Sequence, residues 1–224
     1  MSCFKTFAVI AAAGNSSRMG GADKIFAPLL GKPVLLYSLS AFQEAKSADG
    51  IIVVSRPENA DKIAALCREN KIDKFKAVVT GGESRALSVL NAVSTIGEED
   101  GVIAVHDGAR PLVTPALIDA VIAAAKEFKA AVLAVPARDT VKEAAGGFIT
   151  GTPDRGRMFL AQTPQAFDLR LYREAAKTAP PDAADDGVVV ESSGARVKIV
   201  AGDYRNIKIT AKEDLTAAEA LLCF

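Results

Sequence analysis

Five short apolar runs recur along the chain, separated by helix-like patterns. They are FAVIAA at 7–12, GIIVVS at 50–55, FKAVVT at 75–80, GVIAVH at 101–106 and AAVLAV at 130–135. Each is rich in β-branched residues or alanine and is bounded by turn residues. Apolarity on consecutive positions, rather than alternate ones, marks a strand covered on both faces, as in a parallel sheet. Helix-like segments fall at 33–46, 58–70, 83–96 and 115–128. In the last, Leu117, Ile118, Val121, Ile122 and Ala125 share one face. Thr114 before Pro115 is a good cap followed by a good first helical residue. Strand alternating with helix implies βαβ crossovers, and so predicts a doubly wound, mostly parallel, Rossmann-like α/β sheet.

The rhythm breaks after Pro136. The stretch PARDTVKEAAGGFITGTPDRGRMFLAQTPQAF holds two β-like segments around AAGG and no long amphipathic helix. It predicts a β-hairpin arm over 137–165 that projects from the sheet. A helix over 168–178, a shorter one after PPDAADD, a strand over 195–200 and a final helix over 211–222 complete the expected order. With 224 residues, no internal repeat and no low-complexity linker, the chain reads as a single domain over 1–224.

Lysines and arginines number 27 and so do aspartates and glutamates. Without a basic excess, bulk nucleic-acid binding is disfavoured, and any basic site must be local. Cys3, Cys67 and Cys223 are odd in number and lack CxxC spacing, against a disulfide framework or a zinc cluster. A reduced, cytoplasmic setting is the simpler reading. His106 is the single histidine, which excludes multi-histidine metal sites. Lys5 followed by TFAVIAAAG imitates a short signal peptide, yet it runs straight into a glycine loop as a first buried strand would. No apolar run approaches the roughly 18 residues of a membrane span.

In open α/β sheets, ligands bind beyond the carboxyl ends of the strands. The first such loop reads AAAGNSSRMGGADK and carries two cations, Arg18 and Lys24. It matches neither the dinucleotide fingerprint nor the P-loop: Gly14 is followed by Asn15 and Ser16, and Gly14 and Gly20 are too far apart. What remains is a loop of small residues whose N–H groups suit anions, with an arginine able to grip phosphate bidentately and a lysine supplying a compact charge. A solvated surface turn is the alternative. GGESRALSVLNAV at 81–93 offers Glu83, Ser84 and Ser88 as a polar edge for reading a base, or is simply a helix start. VHDGARP at 105–111 places Asp107 beside Gly108 and Arg110 at a strand end, where an acid suits ribose hydroxyls or the water shell of magnesium. His106 fits local hydrogen bonding better than general-base work.

Taken in order, AAAGNSSRMG…DK, GGESRALSV, VHDGARP, RDTVK, LAQTPQAF and NIKITAKEDL resemble the 2-C-methyl-D-erythritol 4-phosphate cytidylyltransferases. The resemblance implies a nucleotidyltransferase-type sheet. It also implies conversion of CTP and methylerythritol phosphate to CDP-methylerythritol and pyrophosphate, with Mg2+ held mainly by the CTP phosphates. It assigns Arg18 and Lys24 to the α-phosphate in transfer. Ala12, Ala13, Gly14, Gly82, Glu83 and Ser88 match the cytosine pocket, and Asp107 a ribose-side acid. Arg155 and Lys208 match groups that position the sugar phosphate; Arg110, Thr140 and Thr163 match further substrate contacts. The arm exchanges between subunits in this family, which implies a homodimer with shared sites. Departures are Asp23-Lys24-Ile25 where Pro-Lys-Gln is common, Glu83 where Asp is frequent, Gly108 where Ala is usual, and Ala184 in place of a hydroxyl residue.

The residues themselves agree with that chemistry. A substrate phosphate oxygen is already an anionic nucleophile, so no strong base is needed, and no Cys-His or Ser-His-Asp arrangement stands out. The work left is positioning and charge neutralisation. A pentitol-phosphate cytidylyltransferase, such as one making CDP-ribitol, is the nearest alternative. A non-catalytic nucleotide-binding module is the alternative from another class.

Overall fold

The computed structural model describes residues 4–14, 23–180 and 182–223. Strand β1 (Lys5–Ala11) is the first apolar run. A small hairpin, β2 (Pro28–Leu29) and β3 (Lys32–Pro33), leads into α1 (Val34–Glu44). The chain then alternates as expected: β4 (Gly50–Ser55), α2 (Ala60–Glu69), β5 (Phe75–Thr80), α3 (Arg85–Ser94), β6 (Gly101–Asp107), α4 (Pro115–Phe128) and β7 (Ala130–Pro136). After β7 come the hairpin β8 (Glu143–Ala145) and β9 (Phe148–Gly151), then β10 (Phe159–Asp168). Helices α5 (Leu169–Ala176) and α6 (Asp186–Glu191), strand β11 (Lys198–Ala201) and α7 (Lys212–Leu222) follow.

The central sheet has the order β11-β7-β10-β6-β1-β4-β5. All neighbours are parallel except β10, which runs antiparallel to both β6 and β7. Every residue of β4 and of β6 is buried, the signature that continuous apolarity foretold. Alternate side chains serve opposite faces. Ala8, Ile10, Ile51, Val53, Val102 and Ala104 join a core with Leu39, Phe42, Ile63 and Ile118 from α1, α2 and α4. Phe7, Val9, Ile52, Val54, Ile103 and Val105 join another with Val89, Leu169, Tyr172 and Val190 from α3, α5 and α6. Each fully buried Val, Leu, Ile or Phe side chain among them contributes about 1.5–3 kcal/mol. Helix α4 buries Ile118, Val121, Ile122 and Ala125, and the Thr114 hydroxyl accepts from Leu117 N at its start.

The sheet corrects one boundary. The arm expected over 137–165 ends earlier, because Phe159–Asp168 is a strand of the central sheet. Pro164 and the polar residues around it disguise that strand. The β10–β7 register shifts between Ala161 and Gln165, so Pro164 sits where the ladder is interrupted and no donor is missed. What projects is the β8–β9 hairpin, turned by Gly146 (φ 58°) and Gly147 (φ 84°). Two positive φ values at a two-residue hairpin turn favour glycine, which explains AAGG.

Candidate active site

The carboxyl ends of β1, β4 and β6 and the loop after β5 surround a cleft of about 480 Å³. Small residues build one wall. Ala12 N donates to Val54 O at 2.7 Å, which carries the chain from β1 across the end of β4. Gly81 and Gly82 fold back onto α3, and Gly82 N donates to Ser88 Oγ at 3.0 Å. A Cβ on Gly81 would lie 2.7 Å from that of Ala13, and one on Gly82 would lie 2.7 Å from that of Leu87. Only glycine permits this approach. Ser84 caps α3, its hydroxyl accepting from Leu87 N, so Glu83 stands ahead of the helix, exposed on the cleft wall. Ala12, Ala13, Gly14, Gly82, Glu83, Ser88, Lys24, Asp107 and Lys208 therefore share one cleft. Arg18 lies outside the described residues.

Asp107 is the electrostatic centre. Its Oδ2 lies 2.9 Å from Lys208 Nζ and 3.5 Å from Arg110 Nε, and its Oδ1 lies 3.5 Å from Arg85 Nη2. Burial alone would raise this carboxyl, but Lys208, Arg85 and Arg110 overcome it and hold the group well below the usual carboxylate range. Lys208 is brought there by its own segment. Asn206 Nδ2 donates to Thr163 O at 2.9 Å, Arg110 Nη1 donates to Asn206 O at 2.8 Å, and Ile209 N donates to Ala109 O at 2.7 Å.

Behind Asp107 runs a buried chain of hydrogen bonds. Asp107 N donates to Thr163 Oγ1 at 3.0 Å, and Thr163 Oγ1 lies 3.0 Å from His106 Nδ1. His106 Nε2 lies 3.3 Å from Arg110 O, an acceptor only, so Nε2 carries the hydrogen and Nδ1 receives the threonine proton. Burial pushes the His106 imidazole down to about 4. The ring is thus a neutral, fully buried strut and does not line the cleft. The Thr163 hydroxyl is occupied by this scaffold, and Arg110 packs behind Asp107 rather than lining the cleft. Arg155 and Thr140 are exposed on the arm and do not line the cleft either; Arg155 Nη1 donates to Arg138 O at 3.1 Å.

Arg85 does not stand out in the sequence. It reaches from α3 to Asp107 with one nitrogen and to the fully buried Asp186 with the other. Tyr172 OH donates to the second oxygen of Asp186 at 2.7 Å. Burial works against the Arg85 charge, but Asp186 and Asp107 raise its pKa beyond the ordinary arginine value. One signal is present: a cation in the first turn of a helix opposes the helix dipole, so an acid elsewhere in the fold must hold it.

Among the described residues no group of three or more His, Cys, Asp or Glu side chains is placed to cage a metal ion. Glu83 and Asp107 are carboxylates of the cleft wall. That donor set fits magnesium, which keeps several waters and binds through one or two carboxylates plus substrate phosphates. No helix among the described residues is long and apolar enough to cross a membrane.

A cleft edged with glycine and walled with cations, at the carboxyl edge of such a sheet, is built for a nucleotide's phosphates. The family model of 2-C-methyl-D-erythritol 4-phosphate cytidylyltransferase (IspD) matches residues 6–223. A protein of that name from Caldanaerobacter subterraneus subsp. tengcongensis is 44% identical over 225 residues, covering 96% of this chain and 97% of the relative. One from Geobacter metallireducens is 43% identical over 229 residues, covering 96% and 97%. Among solved structures, the 4-diphosphocytidyl-2C-methyl-D-erythritol synthase of Anaerococcus prevotii superposes with a TM-score of 0.87 at 31% identity, covering 99% of this chain and 97% of that one. The 2-C-methyl-D-erythritol 4-phosphate cytidylyltransferase of Thermus thermophilus does so with 0.78 at 30% identity, covering 96% and 98%. Fold, cleft and relatives together define a nucleotidyltransferase. The chain belongs to the 2-C-methyl-D-erythritol 4-phosphate cytidylyltransferase family.

Proposed function

We propose that the chain transfers the cytidylyl group of CTP to 2-C-methyl-D-erythritol 4-phosphate. A phosphate oxygen of the acceptor attacks the α-phosphorus in line. The new oxygen–phosphorus bond forms as the bond to the β-phosphate oxygen breaks, and pyrophosphate leaves with that electron pair. The observation that carries this reading is that Lys24, Lys208 and Asp107 line one glycine-edged cleft, with Asp107 held well below the usual carboxylate range by Lys208, Arg85 and Arg110.

Ala12, Ala13, Gly14, Gly82, Glu83 and Ser88 form the cytosine side, where backbone groups read the base. Asp107 faces the ribose. Lys24, with Arg18, offsets the charge that builds on the α-phosphate, where fixed cations lower the barrier without reorganising. Magnesium, carried mainly by the triphosphate oxygens with Asp107 and Glu83 as the nearby carboxylates, would add neutralising charge. Lys208 exchanges Asp107 for the acceptor phosphate; Arg85 and Arg110 keep Asp107 paired when it does. Arg110 and Thr163 support the acceptor side from behind Asp107.

The arm supplies Arg155 and Thr140 to the cleft of a second copy. Support for that exchange comes from the arm itself, whose hairpin leaves Phe148 79% and Ile149 65% exposed and whose Arg155 does not line its own chain's cleft. The active species in this reading is a homodimer with shared sites.

Purified chain incubated with CTP, magnesium and either methylerythritol phosphate or ribitol 5-phosphate, with pyrophosphate release followed, tests the assignment. Preferential turnover of methylerythritol phosphate is expected. Preference for the pentitol phosphate would move the chain to that specificity, and CTP binding without turnover of either would leave a nucleotide-binding module.

A further inference from the structure

We propose that Asp23 is the positioning residue for Lys24, acting as a latch between the opening loop and the loop after β4. The inference rests on the nucleotide reading of the cleft, but it concerns a residue to which that reading gives no task.

Lys24 begins a short 3-10 turn, Lys24–Phe26, and each of its immediate neighbours is tied down. Asp23 Oδ2 accepts from Asn59 Nδ2 at 3.0 Å and from Arg56 Nη2. Its Oδ1 faces Ile25 N at 3.5 Å, and Phe26 N donates to Asp23 O at 3.0 Å, which closes the turn. Ile25 is 2% exposed and packs in the core. The Phe26 ring lies 3.6 Å beneath Lys62 Nζ of α2. Arg56, Asn59 and Lys62 all belong to the stretch that leaves β4, a fully buried strand. Lys24 is therefore carried on a turn pinned on both sides, and both it and Arg56 line the cleft.

Stability alone explains this arrangement poorly. The side chains of Arg56 and Asp23 are 37% and 16% exposed, and a partly exposed ion pair of this kind contributes little to folding. Fixing a catalytic cation is different, because a misplacement of about 1 Å costs on the order of a hundredfold in rate. The Asp23 carboxylate, with Glu58, also pairs with Arg56, a second cation of the cleft wall.

The test uses the full chain as wild type, Asp23→Ala, Arg56→Met and the double variant. Calorimetry measures affinity for CTP and for cytidine, which lacks phosphates, and pyrophosphate release gives kcat. Asp23→Ala is expected to lower kcat about tenfold or more and to weaken CTP, while cytidine affinity changes by less than about twofold and melting stays close to wild type. The double variant should lose no more than the larger single loss, since one latch is broken either way. Wild-type kcat and an unchanged CTP-to-cytidine ratio in Asp23→Ala would overturn the proposal, as would single losses that multiply. A wild type that binds CTP but turns over no phosphosugar would sink the reaction reading and leave the latch standing or falling on the affinity ratio.

Discussion

Lys208 Nζ sits 2.9 Å from Asp107 Oδ2, so the cation assigned to the acceptor phosphate is paired with the acid assigned to the ribose side. The two are far apart in sequence and meet because the segment around Asn206 is stitched to β10 and to the loop after β6. Lys208→Gln keeps length and polarity but removes the charge. We expect it to raise KM for the sugar phosphate and to lower kcat/KM by roughly a hundredfold, with CTP affinity close to wild type, in steady-state assays varying each substrate separately.

The buried pair Arg85–Asp186 makes a stability prediction. Arg85→Ala strands Asp186 in the core with only the Tyr172 hydroxyl, and breaking such a pair costs about 3–5 kcal/mol. Tyr172→Phe removes one hydrogen bond to the same carboxylate and is expected to cost less, about 1–3 kcal/mol. Urea unfolding of the two variants measures both, and the order of the losses is the informative result.

His106 predicts a pH dependence of stability whose sign is fixed. Its folded-state value, about 4, lies below the ordinary 6.5, so between those values the unfolded chain binds the extra proton. Its contribution is complete above about pH 6.5 and is lost as pH falls toward 4, by up to roughly 3 kcal/mol. Asp107, held lower still, loses its contribution only below the usual carboxylate range. Melting temperatures between pH 7 and 4.5 should therefore fall more steeply in wild type than in His106→Gln.

The proposed exchange of the arm between two copies predicts rescue between defective copies. Lys24→Ala and Arg155→Ala homodimers should both be nearly inactive. Mixing and re-forming dimers should restore roughly a quarter of wild-type activity, because half the dimers are mixed and each has one site with both groups intact. Light scattering should give a dimer, and Phe148→Ser with Ile149→Ser should shift it toward monomer.

Much of the fold is legible in the sequence, for physical reasons that also mark where legibility ends. The strands β1, β4, β6 and β7 announce themselves because a strand covered on both faces needs consecutive apolar residues, whereas β5, at the sheet edge and only partly buried, shows instead through its β-branched pair Val78 and Val79. β10 does not, since Pro164 breaks its ladder and Gln162, Thr163 and Gln165 carry polar groups that are satisfied only in the fold. The glycine and acid positions of the cleft are visible because loops at strand ends are where such sheets bind ligands. Arg85 escapes notice because its partner Asp186 is 101 residues away. Asp23 looks like a mere departure from the family's proline until Arg56 and Asn59 are seen to hold it.

Lys24→Ala is the sharpest probe of the assigned chemistry, because Lys24 lines the cleft at the end of β1 and has no part in the core. With CTP and methylerythritol phosphate both saturating, kcat should fall about a hundredfold or more in a protein that melts like wild type. Near-normal pyrophosphate release from that folded variant would mean that Lys24 does not stabilise the phosphate in transfer.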